Sequence, residues 1–166
     1  AATVDALLGN YFGLNEHLTT LLEGIAGAIP EGVRLDYRPG CPLVASGAEG
    51  HDWAAANAAG CDVTIACMGL LPLLEGEEGD AILSDESGDR KDIALPAVQQ
   101  AFIKQLALSG AKVVLVLTGG SPLEDLLWGF SALPLGLIYG LPAGLLGGLL
   151  AGLNSKKQEI STVDAI

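Results

Sequence analysis

Basic residues are the first scarcity. Eight Lys and Arg stand against 20 Asp and Glu, a formal net charge of −12 over 166 residues. No cationic stripe is available to neutralise phosphates, so nucleic acid is excluded as a partner. Aromatic residues make up only 5% of the chain, which leaves the core to aliphatic side chains. Cysteine is scarce as well: Cys41, Cys61 and Cys67 are an odd count without C-x-x-C spacing, so neither a disulfide framework nor a zinc knuckle is indicated. Ala1 to Asn10 lack the basic start and long apolar run of a secretory signal. A soluble protein is expected, cytoplasmic when produced recombinantly. What is abundant points the same way. Half of the residues are hydrophobic and 17% are charged, a balance that excludes global disorder and fits a single domain over 1–166 with a real core.

Two apolar runs dominate the pattern. VTIACMG (63–69) and VVLVLTG (113–119) have the continuous hydrophobicity of strands buried on both faces of a parallel sheet. Between and around them lie helical spacings. Residues 14–29 place Leu18, Leu21, Leu22, Ile25 and Ile29 on one face, with Asn15 as the expected cap, and residues 50–59 form an alanine-rich helix ending at Gly60. Residues 96–108 form another helix, with Val98, Phe102 and Leu106 on one side. A short strand is expected at 33–37, and residues 71–92 read as an acidic connection too polar for core. Strands alternating with helices at this spacing predict an α/β fold with a parallel, doubly wound sheet.

Residues 126–154 carry no charge and contain Gly140, Gly144, Gly148 and Gly152 at four-residue spacing. That run is long enough for a membrane span, and membrane association stays an alternative reading. Pro134 and Pro142 interrupt it, however, and no basic flank or aromatic belt brackets it. The preferred reading is a buried strand at 135–140 and a helix opening at Pro142. Leu145, Leu146, Leu149, Leu150 and Leu153 cover more than one stripe of the 142–153 helix, so self-association as a dimer through it is expected.

The stretches LLGNYFG (7–13), VRLDYRPGC (33–41), CDVTIACMGLLPLLEGEEGD (61–80), SGDRKDIALPAVQQ (87–100) and KVVLVLTGGSP (112–122) resemble the C-terminal α/β-sandwich domain of family 3 glycoside hydrolases, the β-glucosidase and β-xylosidase group. The acidic loop followed by GDR-x-DI-x-LP is the most specific part. The resemblance implies a three-layer α/β/α sandwich with a flavodoxin-like, mostly parallel sheet. It also implies a TIM-barrel partner domain that holds the catalytic nucleophile, while this domain supplies the acid/base carboxylate from the loop at 70–80. The family's first strand, of the form KK-x-I-A-V-I-G-P, is missing before Ala1, yet KKQEISTVDAI closes the sequence at 156–166. The C-terminal segment is therefore expected in the place of that strand, as in a rearranged, engineered stand-alone domain; a disordered or foreign tail is the alternative. In IYGLPAGLLGG (138–148) Tyr139, Gly147 and Gly148 match the family, while its polar positions have become Leu, Ala and Gly.

The chemistry would rest on Glu75, Glu77, Glu78 and Asp80. Glycoside hydrolysis needs two carboxylates about 5–10 Å apart, and one of them must carry a proton. By motif position Glu75 is the vestigial general acid/base, with Glu77, Glu78 and Asp80 as ligand-binding candidates; a solvated acidic loop is the plain alternative. Asp80, Asp85, Glu86, Asp89 and Asp92 lack the spacing of a calcium loop, so no metal and no cofactor is indicated. Asp89 and Arg90 are expected to form a local ion pair. Thr118 to Ser121 follow a strand, and their amides would suit an anion nest, although a tight turn is the simpler account. His17 and His51 have no companion for a triad or a metal. The expectation is a domain without hydrolytic activity of its own, against a carbohydrate-binding or complementing half of an enzyme that needs a barrel.

Overall fold

The structure is a computed structural model that describes residues 1–8, 15–44, 53–75, 83, 90–123, 136–138 and 159–165. A 3-10 turn at Val4–Leu7 comes first. The sequence pattern then gives way to α1 (Leu21–Ala28), β1 (Arg34–Cys41), α2 (Ala54–Ala59), β2 (Val63–Gly69) and α3 (Pro72–Glu75). These are followed by α4 (Ala97–Leu108), β3 (Val113–Thr118), β4 (Gly136–Ile138) and β5 (Glu159–Ala165). All five strands pair in parallel, in the order β1-β5-β2-β3-β4. Counted from β5, that order is the 2-1-3-4-5 arrangement of flavodoxin-like sheets. The C-terminal segment thus lies between β1 and β2, the position expected for the family's first strand.

The two long apolar runs form the strands they suggest, because side chains of alternate residues enter opposite layers. Ile65 and Cys67 of β2 pack with Ile25 of α1 on one face. Ala66 and Met68 turn to the other face, where they meet Ala54 and Ala58 of α2 and Phe102, Ile103 and Leu106 of α4. The result is one helix layer, the sheet, and a second helix layer. None of the three cysteines is in a disulfide; Cys41 and Cys67 are buried and Cys61 is half-buried.

Several expectations shift in detail. The first helix begins at Leu21, not at residue 14, because the stronger start signal is Thr20-x-x-Glu23. The Thr20 Oγ1 accepts from Glu23 N–H at 3.2 Å, and the Glu23 carboxylate accepts from Thr20 N–H at 2.7 Å. Asn15 instead closes a local turn, its Oδ1 accepting from His17 N–H at 2.9 Å. The buried face of α4 is Gln99, Phe102, Ile103 and Leu106, one step round from the expected stripe, and Val98 packs at its edge. The acidic connection is not wholly outside the core: it opens with α3, whose Leu74 packs against Leu43 and Leu70. β1 runs on to Cys41 past a register shift between Arg38 and Gly40. Among the described residues no helix is long and apolar enough to cross a membrane. The helix expected at 142–153, the self-association built on it, and His51 lie outside the described residues.

Candidate functional site

In open parallel sheets the carboxyl ends of the strands are where ligands gather, because the loops that leave them face one crevice. Here β2 and β3 end side by side at Gly69 and Thr118. Gly69 has φ +150°, and a Cβ there would lie 1.9 Å from Thr118 O, so only glycine fits. The chain then passes Leu70, whose N–H donates to Thr118 O at 2.8 Å, and enters α3 at Pro72, a residue suited to a first helical position. Burial of Leu74 beneath α3 leaves the next residue, Glu75, on the rim.

The Glu75 side chain reaches across to the turn after β3. Its Oε1 accepts from Gly120 N–H. Its Oε2 accepts from Ser121 N–H at 3.1 Å and from Ser121 Oγ–H at 2.6 Å. A Cβ on residue 120 would sit 3.2 Å from Oε1, so the paired glycines let the backbone come close to the carboxylate. The anion nest and the tight turn are therefore one feature, and the anion it holds is the chain's own Glu75. Arg90 completes the arrangement: its Nη1 donates to Ser121 Oγ at 3.1 Å, and its Nη2 donates to Ala94 O. Asp92 lies 3.8 Å from the same guanidinium, with its own side chain largely in water. Together Glu75, Arg90, Asp92, Ile93, Ser121 and Pro122 line an open depression of roughly 230 Å³.

Ser121 gives this cluster a chemical capacity that the carboxylate alone lacks. A hydroxyl both donates and accepts. It donates to a Glu75 carboxylate, and it can accept from a Glu75 carboxyl while still receiving Arg90. A second cavity, of about 120 Å³, lies at the same end of the sheet between Leu7, Leu21, Leu43, Met68 and Leu70. Among the described residues that line it there is no carboxylate, imidazole or basic side chain.

The glycosyl hydrolase family 3 C-terminal domain matches the chain over residues 1–133. The chain belongs to that family. Among curated proteins, a beta-xylosidase from Formosa agariphila is 30% identical over 118 residues, 71% of this chain and 15% of the relative. A beta-xylosidase/alpha-L-arabinofuranosidase from Medicago sativa subsp. varia is 32% identical over 125 residues, 75% of this chain and 14% of the relative. A xylan 1,4-beta-xylosidase from Xylanibacter ruminicola is 41% identical over 63 residues, 37% of this chain and 7% of the relative. The chain spans about 15% of the length of the first of these relatives. No solved structure matches it.

Of the site residues expected for this family 3 domain, the structure places Glu75; Glu77, Glu78 and Asp80 lie outside the described residues. Arg90 was expected to pair with Asp89, which also lies outside them; its described partners are Ser121, Ala94 and Asp92. Ser121 as the receiver of Glu75 was not foreseen, although the glycine pair before it was the available signal. Among the described residues no group of three or more His, Cys, Asp or Glu side chains is arranged to hold a metal ion.

Proposed function

We propose that this family 3 domain is the accessory half of a β-xyloside-cleaving enzyme, supplying the acid/base carboxylate Glu75 to a nucleophile carried by a TIM-barrel domain. The observation that carries the reading is Glu75 itself. It is held at the carboxyl edge of β2 and β3, over an open depression, by the Gly120 and Ser121 amides and the Ser121 hydroxyl. The xyloside assignment follows the names of the relatives. In the first step the Glu75 proton passes to the glycosidic oxygen as the barrel's carboxylate bonds to the sugar carbon and the alcohol leaves. In the second, water attacks that carbon, releases the carboxylate and returns a proton to Glu75. Arg90 and Ser121 orient the carboxyl group in both steps.

The chain alone holds only the acid/base half of this pair, so it is expected to leave aryl β-xylosides intact. Mixing it with the barrel portion of a β-xylosidase should produce turnover, and Glu75→Gln should abolish it. Hydrolysis by the chain alone, lost in Glu75→Gln, would overturn the division of labour. Failure of Glu75→Gln to change turnover in the mixture would remove Glu75 from the chemistry.

A further inference from the structure

Gln99 has no solvent exposure, and a buried amide has to find hydrogen-bond partners within the protein. It stands in the first turn of α4, on the face shared with Phe102, Ile103 and Leu106. Its Oε1 accepts from Gly69 N–H at 2.9 Å, while its Nε2 donates to Gly69 O at 2.8 Å and to Leu43 O at 3.1 Å. One side chain thus ties the exit of β2 to the segment that follows β1.

The register explains why the carboxamide is there. Thr64 of β2 and Leu70, the residue after it, donate to the β3 side, to Lys112 O and Thr118 O. Gly69, of the opposite parity, turns its backbone groups to the other side, where β5 lies. Among the described residues the β5 ladder ends at the Cys67–Asp164 pair. At the next rung, Gln99 provides the donor and acceptor that a further residue of β5 would have provided. The open depression lies one strand further along, beside Glu75.

We propose that Gln99 is the positioning residue for Glu75. Gly69 is the point where the chain leaves the sheet, and Glu75 lies six residues on, past the turn into α3. Fixing both backbone groups of Gly69 fixes the direction in which α3 departs. The receiving turn is held by Arg90, which bonds Ser121 and Ala94 from the segment that leads into α4. Carboxylate and cradle are thereby held by α4 and by the segment that leads into it. The importance of that setting for catalysis rests on the reading of Glu75 given above; the setting itself is testable without a sugar.

Backbone amide exchange followed residue by residue in the 166-residue chain is the test. In Gln99→Met, which keeps the length of the side chain and removes the carboxamide, Gly120 and Ser121 should exchange about tenfold faster relative to Val113 and Leu115 of β3. A role confined to overall stability would accelerate all four by a common factor, and that outcome would overturn the proposal. The unaltered chain gives a second arm that does not depend on the variant folding. At low denaturant, Gly69, Gly120, Ser121 and the Gln99 carboxamide protons should share one opening transition. Independent opening of Gly120 and Ser121 would also overturn it. Neither arm measures hydrolysis, so loss of the acid/base reading and loss of the positioning role are distinguishable.

Discussion

Deleting residues 159–166 should leave a chain that does not fold cooperatively. β5 is flanked on both sides, with seven residue pairs to β1 and five to β2. A parallel ladder forms close to one backbone hydrogen bond per pair, each with a net value of about 0.5–1.5 kcal/mol, so the two ladders contribute roughly 6–18 kcal/mol. Total stabilities of single domains are about 5–15 kcal/mol, so this one strand accounts for as much as the whole margin. Its removal also uncovers two facing strand edges in mid-sheet, and unpaired edges recruit other chains. Circular dichroism during thermal unfolding, with light scattering alongside, should show no sigmoidal transition and should show aggregation. A synthetic 156–166 peptide added in excess should restore the transition, with a midpoint that rises with peptide concentration. A truncated chain whose midpoint and cooperativity match those of the full chain would refute the central placement of β5.

Other consequences follow at single residues. Gly69→Ala should destabilise the chain by about 1–3 kcal/mol from its backbone conformation alone, more with the Thr118 collision added, as read by urea unfolding; a neutral effect would mean that the exit of β2 is not fixed as described. Ser121→Ala removes the hydroxyl between Arg90 and Glu75 and should cost about 1–3 kcal/mol, with Ser121→Thr recovering part of it; equal stability of all three forms would contradict the bonding at Glu75. Bonds from the Thr20 backbone and side chain hold Glu23 below its ordinary value of 4.5. A lowered folded value places the stabilisation above the ordinary carboxylate range and loses it as pH falls through the folded value. Exchange protection in the first turn of α1 should therefore fall on acidification below about pH 4.5. The same acid profile in Thr20→Ala would count against the capping box.

Legibility in the sequence tracked how local the cause was. β2 and β3 could be read to within a residue because strands buried on both faces need short uninterrupted apolar runs bounded by turns, and both segments have that form. β5 could not be read that way. EISTVDA is polar for an interior strand, and only its resemblance to a family segment suggested the sheet. The tetrapeptide TVDA occurs twice, at 3–6 and at 162–165. Near the start it enters a 3-10 turn, and near the end it is strand, so its neighbours in space decide its conformation. In α4 Phe102, Ile103 and Leu106 stand three, four and seven residues after Gln99, a helical stripe that fits Gln99 at least as well as Val98; the polar residue on that apolar stripe is the buried one. At the site, motif position picked out Glu75, but Ser121 lies 46 residues on and meets it only because β2 and β3 are adjacent. Contacts of that span carry no periodic signal in a single sequence.

The central claim is that Glu75 transfers the proton in glycoside cleavage. Its most direct test is the leaving-group dependence of Glu75→Ala in the presence of a β-xylosidase barrel. A general acid contributes about 10²–10⁴-fold, and only where the leaving alcohol needs a proton. Formation of the xylosyl-enzyme should therefore slow by about that factor with a phenyl β-xyloside and little with a dinitrophenyl β-xyloside. Added azide, which needs no base to attack, should restore the second step and appear as β-xylosyl azide. Equal slowing with both leaving groups, and no azide product, would contradict the assignment.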